Sequence, residues 1–225
     1  MNPETNLEFA LVAIDGPAAS GKSTVARRLA RRLGFSYVSS GALYRGVAWL
    51  VAEHAFRPED AKAVIELVRK SEFKFELFRK ELLFQIDGTN PEPHLRSERV
   101  NQTVSSISAI PEVREFLVVH LRSFLTWDNL VMEGRDIGSV VFPDTLYKFY
   151  IDASPEVRRQ RRAIQGQRDD LLFRDTADAS RQASPLTVAE DAYVIDSSSL
   201  TIDGVVDEIM GHLKIQGLSE AIILD

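Results

Sequence analysis

Residues 14–24 read IDGPAASGKST, and this stretch constrains the fold more than any other part of the sequence. It matches the pattern G-x-x-x-x-G-K-[ST] through Gly16, Gly21, Lys22 and Ser23. The glycines of this pattern let backbone N–H groups approach a phosphate closely, and the N-terminus of the following helix adds a favourable dipole. The pattern therefore predicts a buried strand, a phosphate-binding loop and a helix, in that order.

The sequence on each side of this loop fits that prediction. Residues 9–14 form a short apolar run, as in a parallel strand buried on both faces, and apolar residues recur at helical spacing through residues 25–33. Within the loop, Lys22 would supply positive charge for the β- and γ-phosphates, and the Ser23 hydroxyl would bind Mg²⁺. A glycine-rich turn without a ligand is the alternative. The residues predicted to bind the phosphates are Gly16, Ala18, Ala19, Ser20, Gly21, Lys22, Ser23 and Thr24.

Length and composition limit the classes of protein that this chain can belong to. Its 225 residues suit one core with insertions or two small domains, and we predict one core. The net charge of −6 argues against a nucleic-acid partner, and the absence of cysteine excludes disulfides and thiol catalysis. The N-terminus lacks the order of a secretion signal, and no apolar run is long enough to span a bilayer. We therefore expect a cytoplasmic protein without a membrane partner.

The chain divides by pattern into a core and an insertion. Buried-strand and amphipathic-helix patterns alternate through residues 7–69 and 109–215, which predicts parallel strands covered by helices. Between these ranges, apolar and charged residues alternate at 73–77 and again at 82–86, as in two antiparallel strands with one exposed face. We therefore predict that residues 70–108 form an antiparallel insertion.

Three further predictions concern a lid, a C-terminal tail and one histidine. Residues 163–183 are largely polar and without periodicity, so we predict a mobile lid within the core. Residues 216–225 are expected to form a loosely held C-terminal tail. His120 lies on the apolar stripe of a predicted helix, and we interpret it as a packed residue rather than a catalytic one.

Arginines follow the predicted strands within short polar motifs. Arg45, Arg135 and Arg181 lie either after a strand or in the predicted lid. Phosphoryl transfer requires mainly positioning and charge neutralisation, and arginine is suited to bidentate phosphate contact. A surface ion pair is the alternative for any one of them. Their co-occurrence with the phosphate-binding pattern favours phosphate contact over surface ion pairs.

Four motifs together resemble the bacterial cytidylate kinase family. They are GPAASGKS at 16–23, SGALYR at 40–45, EGRDIGSVVFP at 133–143, and RDxxDxxR followed by SPL at 174–186. The last two are more specific than the first, because other nucleoside monophosphate kinases do not share them. The resemblance extends from about residue 9 to residue 213. It implies a three-layer α/β P-loop kinase fold with a central parallel sheet, an antiparallel acceptor-binding insertion and a short lid.

The resemblance implies transfer of the γ-phosphate of ATP, with Mg²⁺, to CMP and dCMP, and we expect a monomer. The expected contacts to the acceptor phosphate are Arg45, Arg135 and Arg181. Those to the cytosine edge are Ser40, Arg114 and Asp136. Cytosine carries an amine donor beside a ring nitrogen and a carbonyl oxygen, so a carboxylate with an arginine complements it, whereas uracil would present a carbonyl to the same acceptor. The positions implied around the ribose are Ser105, Arg174 and Asp178, with Glu133 nearby.

Catalytic and donor-side residues follow from the same resemblance. The implied catalytic residues are Lys22, Arg174 and Arg181. Three arginines resemble those at the base of the family's lid, near the donor nucleotide, although a solvated helix face is the alternative; they are Arg158, Arg161 and Arg162.

The sequence departs from the family's usual pattern at two places. Ser39 stands where an acidic residue is common, and the segment between Arg162 and Arg174 is shorter than the usual lid. Two alternatives stay open, and these departures favour the second of them. One is a kinase for another nucleoside monophosphate, and the other is a nucleotide-binding regulator with impaired transfer.

Overall fold

A seven-stranded sheet runs through this computed structural model, which describes residues 9–164 and 186–218. Its order is β3-β4-β2-β5-β1-β6-β7, and every neighbouring pair is parallel except β3 and β4. The strands are β1 Leu11–Asp15, β2 Ser36–Ser39, β3 Phe73–Phe78, β4 Glu81–Ile86, β5 Leu130–Gly134, β6 Tyr147–Asp152 and β7 Tyr193–Asp196.

Helices cover both faces of this sheet. The described helices of eight or more residues are α1 Lys22–Leu33, α2 Ser40–Glu53, α3 Ala61–Lys70, α4 Glu98–Ala109, α5 Pro111–Ser123, α6 Pro155–Ile164 and α7 Ile202–Ile215. Alternate residues of β1 show why both faces need cover. Leu11 and Ala13 pack into a core with α2 to α5, while Val12 and Ile14 pack into a second core with α1 and α7. The predicted three-layer α/β fold with a central parallel sheet is confirmed.

The start of α1 agrees with the pattern that predicted it. The helix begins at Lys22 and ends where Gly34 adopts a left-handed conformation with φ of 70°. β1 begins two residues later than the apolar run and extends to Asp15. All five residues of β1 are buried, which is the expected environment of a central parallel strand.

The predicted antiparallel strand pair is present at one edge of the sheet. β3 and β4 pair from Phe73 with Ile86 to Phe78 with Glu81. One paired position, Tyr37 with Glu81, links β4 to β2, so the pair continues the central sheet. The limits 70–108 of an acceptor-binding insertion stay a prediction.

His120 packs among aromatic rings beneath this pair of strands. Its ring centroid lies 4.9 Å from that of Phe75 and 4.7 Å from that of Phe116. Burial lowers its pKa, as expected for a neutral packed imidazole. The interpretation of His120 as a packed residue is confirmed.

Several sequence predictions fall outside the described residues. They concern the lid from residue 165 onward, the tail from residue 219 onward, and the side chains of Arg174, Asp178 and Arg181.

Candidate active site

The carboxyl ends of β1, β2 and β5 open into one cleft of about 380 Å³. Parallel α/β sheets bind ligands at this edge, because the loops that leave the strands converge there. The cleft brings together residues from the loop after β1, the start of α2, the α4 helix, α5 and the loop after β5. The predicted site residues that line it are Ala18, Ala19, Gly21, Lys22, Ser23, Thr24, Ser40, Arg45, Ser105, Arg114, Glu133, Arg135, Asp136 and Arg162.

The loop between β1 and α1 curls tightly around the N-terminus of α1. Ala19 and Gly21 have positive φ values of 60° and 94°, which turn the chain sharply before the helix. A Cβ at Gly16 would collide with the carbonyl oxygen of Ile151, so only glycine fits there. The first N–H groups of a helix lack intrahelical partners, and together with the Lys22 ammonium they suit an anion. This loop therefore has the form of a phosphate site.

Cationic side chains hold the carbonyl groups of the same loop. Lys22 Nζ donates to Pro17 O at 3.0 Å, and Arg158 Nη1 donates to Ala18 O at 3.4 Å. Arg161 donates through Nη1 to Ser20 O at 3.0 Å and through Nη2 to Ser197 O at 2.7 Å. Gly16, Ser20 and Arg158 do not line the cleft, but the first two belong to the loop and the third lies against it. These bonds tie α6 and the segment after β7 to the loop.

Three hydroxyl groups converge on one carboxylate oxygen beside the loop. Glu133 Oε1 accepts hydrogen bonds from Ser23 at 3.0 Å, from Ser39 at 2.5 Å and from Tyr37 at 3.4 Å. Burial, with the adjacent Glu133 charge, raises the Tyr37 pKa, so this phenol stays protonated as a donor. Ser39 also caps α2 by accepting from Ala42 N at 3.3 Å. The serine thus donates to Glu133 where a second carboxylate would repel it.

Arg114 and Asp136 form a buried ion pair on the far side of the cleft. Arg114 Nη2 donates to Asp136 Oδ2, and its Nη1 donates to Ser108 O at 3.2 Å. The buried Nε of Arg114 makes no hydrogen bond within the described residues. Ser40 Oγ donates to Glu133 O at 3.0 Å nearby. The pair combines a donor and an acceptor in a position that solvent hardly reaches.

Arg45 is oriented by a residue that the sequence analysis missed. Its Nη1 donates to Asn101 Oδ1 at 2.7 Å and to Leu95 O at 3.0 Å. Asn101 Nδ2 donates in turn to Arg96 O at 3.1 Å, which fixes the direction of the amide. Arg135 lines the same cleft. Asn101 lies in an ordinary helical segment, so no motif pointed to it.

Asp15 was also missed, although its place in the sequence carried a signal. It ends the buried strand β1 directly before Gly16, where an ionisable residue is unusual. Its carboxylate accepts hydrogen bonds from the N–H groups of Ile137 and Gly138, both at 2.8 Å. Burial raises the pKa of this carboxyl to about 7, partly offset by those two hydrogen bonds.

No helix within residues 9–164 and 186–218 is long and apolar enough to cross a membrane.

Comparison with known proteins adds a sequence relationship to this geometry. The family model for cytidylate kinase matches residues 12–215. A cytidylate kinase of Caldanaerobacter subterraneus subsp. tengcongensis is 40% identical over 214 residues, which cover 90% of this chain and 94% of that protein. One of Alkaliphilus oremlandii is 36% identical over 219 residues, covering 92% and 99% of the two chains. One of Coxiella burnetii is 36% identical over 222 residues, covering 93% and 94%.

Proposed function

This chain belongs to the cytidylate kinase family, and we propose on that basis that it transfers the γ-phosphate of ATP to CMP, giving ADP and CDP. The observation that carries the proposal is the Arg114–Asp136 pair. The two residues are only 4% and 3% exposed, and they line the same cleft as Lys22. Removing two charges from water costs about as much free energy as their attraction returns, so a buried ion pair adds little to the stability of the fold. A role in recognising a ligand therefore explains the Arg114–Asp136 pair better.

Cytosine fits the donor and acceptor groups of this pair. The Asp136 carboxylate would accept from the exocyclic amine, while the Arg114 guanidinium would donate to the ring nitrogen or the carbonyl oxygen. The buried Arg114 Nε would gain a partner when the base binds. Uracil would turn a carbonyl oxygen toward Asp136 and leave an acceptor unpaired. That mismatch costs about 1–3 kcal/mol, enough for roughly ten- to hundredfold discrimination.

Phosphate groups would be held at two places in the cleft. The loop at residues 16–24 would bind the phosphates of ATP through backbone N–H groups and Lys22. Arg45 and Arg135 would hold the acceptor phosphate, with Arg181 as a third arginine by resemblance. The acceptor is already a phosphate anion at neutral pH, so transfer needs no general base. The protein's contribution is alignment of the two phosphates and neutralisation of their charge.

Mg²⁺ would accompany ATP, and the residues beside the loop fit it. Ser23 Oγ and Glu133 Oε1 lie 3.0 Å apart, and Mg²⁺ prefers such oxygen ligands. The part of the chain described here contains no group of three or more His, Asp, Glu or Cys side chains that could hold a metal ion. A cation held partly by the phosphates of the substrate needs no such cage. When bound, Mg²⁺ would neutralise phosphate charge, while Glu133 orients the Ser23 hydroxyl.

Three further properties belong to the proposal. We propose that dCMP is also a substrate, since the base and the phosphate account for most of the contacts described above. The remaining ribose contacts would come from Ser105, Arg174 and Asp178. We also propose a cytoplasmic monomer.

The function is tested by measuring ADP release from ATP with CMP, dCMP, UMP and AMP as acceptors. We expect kcat/KM to be highest for CMP, with dCMP next and UMP at least tenfold lower. Lys22→Ala should lose most turnover because the phosphoryl group loses a neutralising charge. Asp136→Asn should reduce the preference for CMP over UMP. Preference for UMP or AMP would contradict the substrate, and tight binding of ATP and CMP without ADP release would indicate a regulator.

A further inference from the structure

We propose that Asp15 is a positioning residue that sets selectivity for the acceptor base through backbone contacts. This inference rests on the proposed function, because it concerns how Asp136 is directed at the base. Asp15 is absent from the residues that line the cleft. Its carboxylate instead accepts from two consecutive backbone N–H groups, those of Ile137 and Gly138, each at 2.8 Å. These two residues directly follow Asp136.

The loop that carries Asp136 depends on this contact for its shape. Residues Ile137–Val141 form a single π-helical turn in which the N–H groups of Val140 and Val141 both donate to Asp136 O. The first N–H groups of such a turn have no partner within it. Ile137 and Gly138 are both fully or nearly fully buried, so water cannot replace Asp15 as an acceptor. Loss of the carboxylate would reorient the peptides that hold Asp136.

Asp15 also fixes this loop relative to the phosphate-binding loop. It pairs with Gly134 in the register between β1 and β5, and Gly16 follows it directly. One side chain thus joins the segment that binds the donor phosphates to the segment that carries Arg135 and Asp136. The two oxygens of a carboxylate can each take one N–H, whereas an amide has a single acceptor oxygen. The hydrogen-bond geometry at this position therefore suits the two acceptor oxygens of aspartate better than the single oxygen and NH2 group of asparagine.

The test compares kcat/KM for CMP with kcat/KM for UMP in the wild type and in Asp15→Asn. The amide places one oxygen and one NH2 group where the carboxylate places two oxygens, so one of the two N–H groups would face a donor and Asp136 should shift. We expect the CMP/UMP ratio to fall at least tenfold while KM for ATP stays within twofold of its wild-type value. Both substrates are measured on the same preparation, so a lower folded fraction leaves the ratio unchanged.

A matched control removes a different hydrogen bond to the same strand. Thr145 Oγ1 donates to Leu11 O at 2.7 Å, at the opposite end of β1. Thr145→Val should lower stability but leave the CMP/UMP ratio within twofold of the wild type. If Asp15→Asn does not fold, Asp15→Ser supplies the same measurement with one remaining acceptor.

A ratio within twofold of the wild type in a folded Asp15 variant would overturn the proposal and leave Asp15 with a purely structural role. A tenfold or larger fall in both Asp15→Asn and Thr145→Val would also overturn it, because selectivity would then follow general stability. A wild-type protein that does not prefer CMP would instead contradict the proposed function. The two failures are therefore distinguishable.

Discussion

Asn101 orients the guanidinium of Arg45, although no sequence motif links the two residues. Its Oδ1 accepts from Arg45 at 2.7 Å, and its own amide group is fixed by donation to Arg96 O. An arginine held at one nitrogen loses less side-chain freedom when it binds a phosphate. If Arg45 holds the acceptor phosphate as proposed, Asn101 would be a positioning residue of that site without touching the substrate.

Asn101→Ala should raise KM for CMP roughly tenfold, equivalent to about 1.4 kcal/mol, because Arg45 loses a charge-assisted hydrogen bond. The values of kcat and of KM for ATP should stay within twofold. Steady-state kinetics with each substrate varied in turn provide the measurement. Gln102→Ala, on the exposed side of the same helix, is the matched control and should change neither constant. An equal rise in KM for ATP and CMP would show that Asn101 supports the fold instead.

The raised pKa of Asp15 predicts a pH dependence of stability. Burial raises this pKa from 3.8 to about 7 in the folded protein. Between these two values the folded state binds more protons than the unfolded chain, so the free energy of unfolding decreases as the pH rises. A shift of that size corresponds to roughly 4 kcal/mol across the window.

Asp15→Asn should remove this contribution, since an amide does not titrate. Urea denaturation at a series of pH values from 4 to about 7 would measure it. The variant should gain stability relative to the wild type by a few kcal/mol over that range, whatever their difference at pH 4. A constant difference between the two proteins would show that the Asp15 pKa is close to its value in the unfolded chain.

At the scale of secondary structure, α6 contacts the phosphate-binding loop through hydrogen bonds to its carbonyl groups. Arg161 holds the carbonyl oxygen of Ser20 and also the segment after β7 through Ser197. Ser197 Oγ itself donates to Ser20 O at 2.8 Å, so two elements meet at one peptide of the loop. The loop thus keeps its shape through contacts with elements that are distant in sequence.

Arg161→Ala should raise KM for ATP about tenfold, because the peptide at Ser20 loses a charged donor that orients it. KM for CMP should remain within twofold, since Arg161 does not line the cleft that holds Arg114 and Asp136. Initial rates at saturating CMP give the first constant, and rates at saturating ATP give the second. Arg159→Ala on the same helix, where the side chain is exposed and paired with Glu156, should leave both constants unchanged. Equal effects on ATP and CMP would contradict the assignment.

Sequence patterns predicted local elements better than the contacts between them. The phosphate loop, α1 and the alternating residues of β3 and β4 were predictable because glycine conformation and apolar spacing are local properties. The contact of Arg161 with Ser20 was not predictable, since they lie 141 positions apart and the resemblance placed Arg161 near the donor nucleotide without indicating a contact with the loop. Ser39 donates to Glu133, which lies beside it in the sheet but 94 positions away in the sequence, so its contact was not predictable either.

Across the whole molecule, the structure of a segment was easier to predict from the sequence where burial and hydrogen bonding allow few conformations. The centre of the sheet was predictable because β1 and β5 are buried on both faces, which allows few alternatives. Asp15 stood out in the sequence because an ionisable residue ends a buried strand. Its partners could not be predicted, because the N–H groups of Ile137 and Gly138 belong to the backbone and lie more than 120 positions away. The sequence thus indicated which side chains could bind phosphate or a base, and the structure shows which residues hold those side chains in position.

The uneven pairing along the sheet has a mechanical consequence. β1 and β5 pair at five positions, from Leu11 with Leu130 to Asp15 with Gly134, whereas β2 and β4 pair only at Tyr37 with Glu81. A ladder of many bonds resists shear between its strands, and a single pair can bend. The sheet should therefore be rigid beneath the phosphate-binding loop and compliant at the joint that carries β3 and β4. Because residues of β4 line the cleft, bending at this joint would change the width of the cleft, while the loops after β1 and β5 keep their spacing.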